Sequence, residues 1–208
     1  MSDTLLNAIE LYGLEPLMVA YYEKREFVNE LLRIIQSAVL GLTQALLEKM
    51  KGDIAYSTGC YGTATIWSPA VYRQVFAPLV AEQSKLIKEL GLFHAYFMDG
   101  KCMDNLETIQ NIGIDIFLPL EPPPTGDGDL KEAKTRIGKR VTLWGNIDPI
   151  YILQKGTDKM IENAVKKAID DAATDGGFIL GTGERVTEET PIENIKTMVE
   201  TAKKYGGY

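Results

Sequence analysis

Five short runs of apolar, strand-favouring residues, each followed by a stretch of helical periodicity, constrain this chain more than anything else in it. The runs are Asp53–Ser57, Leu92–Met98, Ile114–Leu118, Val141–Trp144 and Phe178–Leu180. They recur about every 25–35 residues, the spacing of βα units. A helix between two strands returns the chain to the end where it began, so such strands pair in parallel. The expected fold is α/β: one domain over residues 1–208, with a helical lead-in at 1–51 and five βα units at 52–208.

The punctuation supports this division. Phe27, Leu31, Ile34, Ile35, Ala38, Leu42, Ala45 and Leu46 recur at helical spacing, which predicts a long amphipathic helix ended by Gly52. Ser68-Pro69 pairs a hydroxyl cap with proline at the first helical position, and Pro78 should kink the helix that follows. Thr190-Pro-Ile-Glu193 has the spacing of a capping box before a last helix. The stretch Pro119 to Gly128 is too rich in proline for helix or central strand.

Composition then removes whole classes of function. The formal net charge is −7, and no basic or basic-aromatic run points to nucleic acid. No apolar run is read as a membrane span, and Met1-Ser-Asp-Thr lacks the features of a signal peptide. Two cysteines make no disulfide scaffold, so the chain is read as cytoplasmic with reduced thiols. The single histidine, His94, lies within a strand run and is read as structural.

In parallel α/β folds chemistry sits just past the carboxyl ends of the strands. Those positions hold Cys60 and Tyr61; Asp99, Lys101 and Cys102; Glu121; Asn146 and Asp148; and Thr182, Glu184 and Arg185. Gathered at one mouth, the carboxylates would raise one another's pKa and give acid–base capacity near neutrality, or bind a cation. Each could instead cap a turn or helix, and Asp127, Asp129, Glu188 and Glu189 are read that way. The stretch Arg140 to Pro149 is central, because Gly145, Asn146 and Asp148 directly follow the run that ends at Trp144.

Several pieces, in order, resemble the uroporphyrinogen decarboxylase superfamily, which includes the methylcobamide:coenzyme M methyltransferases. They are Ile66-Trp-Ser-Pro69 with Phe76-Ala-Pro78, Phe97-Met-Asp-Gly100, Ile112-Gly-Ile-Asp115, Leu143-Trp-Gly-Asn-Ile-Asp-Pro149 and Glu184 to Pro191, with Leu14 to Leu32 also similar. The resemblance implies a (β/α)8 TIM barrel, of which this chain carries about five units. It also brings departures. The zinc-binding methyltransferases place a histidine and two cysteines where Phe97, Asp99 and Glu184 stand here, so no thiolate zinc site is expected. An oxygen-ligand site from Asp99 and Glu184 stays open. The basic residues by which the decarboxylases hold a many-carboxylate substrate are absent.

The reading is therefore a corrinoid-linked methyltransferase relative, with Asp99, Glu121 and Glu184 catalytic. Cys60, Tyr61, Lys101, Trp144, Asn146, Asp148, Thr182 and Arg185 would bind substrate. The alternatives are a decarboxylase relative, a lyase acting on a porphyrin precursor, and a non-catalytic barrel subunit. No tightly bound cofactor is expected; a corrinoid would be substrate or arrive on a partner protein. Five strands of an eight-stranded barrel leave unpaired edges. The chain is thus expected to form a homodimer or to join a chain that supplies the missing strands.

Overall fold

The structure, a computed structural model, describes residues 1–207. Asp3 opens the helical lead-in: its Oδ1 accepts from Leu6 N at 2.8 Å, satisfying one of the orphan amides at the start of α1 (Thr4–Tyr12). Next come α2 (Leu14–Glu23) and α3 (Arg25–Leu47). α3 corrects the reading that no apolar run reaches membrane-spanning length, since its length and composition pass that test. Its Val28, Leu32, Ile35 and Val39 are nonetheless packed into the protein core.

The five strands are β1 (Ile54–Thr58), β2 (Phe93–Phe97), β3 (Ile116–Leu118), β4 (Thr142–Ile147) and β5 (Phe178–Thr182). They form one sheet in the order β1-β2-β3-β4-β5, every pair parallel. The period of two sorts their side chains into two layers. Tyr96, Phe117 and Leu143 point outward into the main core beneath the helices. Ala95, Ile116, Leu118, Phe97, Trp144 and Ile179 form a separate cluster on the inner face. Tyr96, Phe117, Tyr72, Phe76, Leu106 and Ile109 are fully buried, each contributing roughly 1.5–3 kcal/mol by burial. This is the layering of a TIM barrel, but the sheet does not close: among the described residues no strand bridges β5 back to β1.

Between the strands run α4 (Pro69–Val71), a π-helical turn (Tyr72–Phe76), α5 (Ala77–Glu89), α6 (Leu106–Ile112), α7 (Leu130–Ile137) and α8 (Asp158–Ala172), with α9 (Ile192–Tyr205) last. The π turn lies just ahead of Pro78, which lacks an amide hydrogen and whose ring crowds the preceding turn. A second π turn (Pro149–Gln154) follows β4. His94 is structural, as expected: its Nε2 pairs with Ser57 Oγ at 2.6 Å, and burial lowers its pKa to about 4, keeping it neutral.

Three local expectations fail. β5 does not end at Leu180 but runs to Thr182, so the candidate Thr182 is a strand residue. β4 does not end at Trp144 but runs to Ile147, so Gly145 and Asn146 are strand residues. Pairing with β5 continues from Leu143 to Ile147 and carries the strand on. The capping box at Thr190 does not form either. α9 starts only at Ile192, and Thr190 Oγ1 instead pairs with Thr187 Oγ1 at 3.1 Å.

Candidate active site

The carboxyl ends of the strands all face one way, and three carboxylates meet there. Asp99 lies two residues past β2, Glu121 three past β3 and Glu184 two past β5. Glu121 is buried, and its Oε2 accepts from Gly100 N at 2.8 Å, which fastens the loop after β3 to the loop after β2. Asp99 Oδ1 and Glu184 Oε2 are shielded from solvent and have no hydrogen-bond partner among the described residues. Burial, then repulsion from Glu184 and Glu121, raises the pKa of Asp99 to about 6. An aspartate tuned in this way exchanges its proton near neutral pH.

Two neutral donors border the acids. Tyr56, on the inner face of β1, is pushed up to about 12 by burial, Cys60, Glu184 and Asp99. Cys60 is pushed up to about 11 by burial, Asp99, Asp3 and Glu184, so it stays a thiol. Tyr56 was missed in the sequence, because a tyrosine inside a strand run reads as filler. Its signal was there: it is two residues before Thr58, on the same face as that strand end.

The remaining candidates are placed differently. Trp144 lies on the inner face with its indole over Gly181, where a Cβ would fall 2.3 Å from Nε1. Tyr61 and Thr182 are half-buried at the mouth, while Lys101 and Arg185 are exposed. Lys101 anchors through its backbone, its carbonyl accepting from Ala64 N and Thr63 Oγ1, both at 2.9 Å. Asn146 and Asp148 line a separate cavity of about 560 Å³ with Tyr151, Pro122 and Lys167. Asp148 is a cap: its Oδ1 accepts from Ile150 N at 2.8 Å and Tyr151 N at 2.7 Å.

The uroporphyrinogen decarboxylase (URO-D) family profile matches residues 7–205. The chain belongs to the uroporphyrinogen decarboxylase family. It is 30% identical over 187 residues to a uroporphyrinogen decarboxylase of Coxiella burnetii, covering 88% of this chain and 49% of that relative. It is 25% identical over 206 residues to the methylcobamide:CoM methyltransferase MtaA of Methanosarcina barkeri, covering 99% of this chain and 57% of that one. A methyltransferase from Methanosarcina mazei superposes on all of it with a TM-score of 0.84 at 20% identity, over 58% of the larger chain. The chain thus spans about half the length of these family members.

As a uroporphyrinogen decarboxylase family site, the mouth offers oxygen donors. Asp99, Glu121 and Glu184 are the carboxylates there, and Phe97 ends β2 two residues before Asp99. The other thiol, Cys102, is buried and pushed up to about 12. The described residues bring no three His, Cys, Asp or Glu side chains into the geometry of a metal site.

Asp3 supplies a pH test beside this site. Its Oδ2 accepts from Tyr96 OH at 3.2 Å, and burial raises its pKa to about 6. A raised aspartate penalises the folded state above its folded pKa, and the penalty vanishes below the unfolded value near 4. For this fully buried group the penalty is on the order of 2–3 kcal/mol. His94, lowered to about 4, runs the opposite way between its folded and unfolded values, so the wild-type profile partly cancels. The difference between Asp3→Asn and wild type isolates the term. Urea titrations should show the variant gaining on wild type by that amount between pH 4 and pH 7.5; a difference independent of pH refutes it.

Proposed function

We propose that this chain is a corrinoid-linked methyltransferase relative that works without a thiolate zinc site. The observation that carries the reading is Asp99, with a pKa near 6, set between Glu184 and Glu121 in a mouth whose thiols stay protonated. Asp99 gives its proton to a leaving group or takes one from the methyl acceptor; both need a pKa near the working pH. Burial raises that pKa most, and Glu184 and Glu121 add to it. Glu121 also fixes the loop that carries Asp99, through Gly100 N. Tyr56 donates a hydrogen bond without losing its proton. The match to the Methanosarcina barkeri methyltransferase along 99% of the chain supports methyl transfer, as the match to the Coxiella burnetii decarboxylase supports the alternative.

The test offers methylcobalamin with a thiol acceptor and, separately, uroporphyrinogen, and follows loss of the methyl–cobalt spectrum against release of carbon dioxide. Demethylation is expected. Carbon dioxide release without demethylation would establish the decarboxylase reading instead. The same preparation is expected to lack stoichiometric zinc by elemental analysis, and one zinc per chain that survives mild chelation would refute the zinc-free mechanism.

A further inference from the structure

A cavity of about 560 Å³ lies between the proline-rich loop after β3, the end of β4 with the second π turn, and α8. β3 and β4 are each paired with a strand on both sides, so every wall of the cavity comes from neighbouring units inside the sheet. Its volume falls in the range of small-molecule sites, roughly 300–1,000 Å³. The sequence makes the walls apolar and short of donors. Pro122, Pro123 and Pro124 have no amide hydrogen. Ala164 and Ala168 stand one turn apart on α8, so one face of that helix presents two small side chains. Ile147, Ile152 and Leu130 complete the apolar lining.

Asp127, Asp129 and Asp148 also line the cavity. Each commits one oxygen to backbone amides. Asp127 Oδ1 accepts from Cys102 N at 2.8 Å and Met103 N at 3.2 Å. Asp129 Oδ1 accepts from Glu132 N at 2.9 Å, and Asp148 Oδ1 from the two amides of the second π turn. These bonds fix the three carboxylates, and no Oδ2 of the three has a partner among the described residues. Asp148 is the most demanding, because it is only 9% exposed. A carboxylate withdrawn from water with one oxygen unmet is costly unless a cation or donor reaches it. The nearby lysines are engaged elsewhere: Lys167 pairs with Asp171, and Lys155 Nζ lies 5.5 Å from the centroid of the Tyr151 ring.

These features select the ligand. An anion finds no free amide at the helix starts, since the carboxylates hold them. A single metal ion does not gather the acids, because no three His, Cys, Asp or Glu side chains of the described residues converge in that way. An uncharged hydrocarbon leaves Asp148 Oδ2 unmet. We propose that this cavity binds a small organic cation, a primary ammonium or guanidinium group on an apolar stem. The charged group donates to Asp148 Oδ2, a charge-assisted hydrogen bond, and the stem lies against Ala164, Ala168 and the prolines. This binding is independent of the reaction at the acid mouth.

Titration calorimetry of the full chain at neutral pH, with phenethylamine and spermidine as probes, should show saturable one-to-one binding of at least one amine. Phenethyl alcohol, which has the shape of phenethylamine without its charge, should bind about tenfold more weakly, and hydrocinnamate should not bind. Asp148→Asn keeps the cap, because asparagine offers the same Oδ1. It should weaken amine binding about tenfold with the melting temperature unchanged. Ala164→Phe fills the cavity and should abolish binding, whereas Asp99→Asn should leave it unaltered. The proposal is overturned if neither amine saturates, if the alcohol binds as tightly as phenethylamine, or if Asp148→Asn or Ala164→Phe binds as the wild type does. Loss of binding in Asp99→Asn would place the cation at the acid mouth and overturn it as well.

Discussion

Replacing Asp99 with asparagine is expected to lower turnover by about 10²–10⁴-fold, the range for loss of a positioned general acid or base. The melting temperature at pH 7.5 should stay the same or rise. Both halves follow from one geometry. The pKa of Asp99 is raised to about 6, by burial first and then by Glu184 and Glu121. Asparagine keeps the shape and removes the proton exchange, while relieving the repulsion that raised the pKa. Glu184→Gln supplies the second readout. It removes the larger of the two repulsions on Asp99, so the acid limb of the pH–rate profile should move to lower pH while the aspartate remains in place. Equal losses of activity and stability in Asp99→Asn, or an unshifted profile in Glu184→Gln, would mean that these carboxylates serve the fold rather than the reaction.

Gly145→Ala is expected to cost about 3–5 kcal/mol, a large fraction of a domain's net stability. Gly145 has φ +148°, a conformation that L side chains rarely adopt, and a Cβ there would fall 2.0 Å from the Pro119 carbonyl oxygen. The obstacle is backbone and not the end of a flexible side chain, so β4 or the exit of β3 must shift. Backbone strain and overpacking each contribute about 1–3 kcal/mol in such cases. Gly41→Ala is the control: Gly41 is exposed within α3 with nothing within 4 Å of its built Cβ. It should stabilise by up to about 1 kcal/mol, because alanine is the better helix former. Urea midpoints measure both, and a Gly145→Ala midpoint within error of wild type would show that the strands have room to move.

The acid cluster was legible in the sequence because it rests on local facts. Asp99, Glu121 and Glu184 each follow a strand run within four residues, and parallel strands joined by helices present their carboxyl ends together. Asn146 was legible only as a strand-end residue. β4 runs on to Ile147 through its pairing with β5, and the cavity that Asn146 shares with Asp148 lies against α8 and the proline-rich loop. Capping was weighed for Asp148 as an alternative, and the two amides of the second π turn decide for it.

The sequence by itself determined the number and type of the units, their parallel pairing and the end of the sheet where the acids gather. Each depends on residue periodicity, turn chemistry and chain connectivity, which act over a few neighbours. The tertiary structure alone decided that Tyr56 and Cys60 stand against the acids, that burial raises the pKa of Asp99, and that an exposed apolar face flanks an open gap. These depend on burial and on charges from strands far apart in the chain. Coulomb energy and desolvation follow distance in space, which no local pattern records.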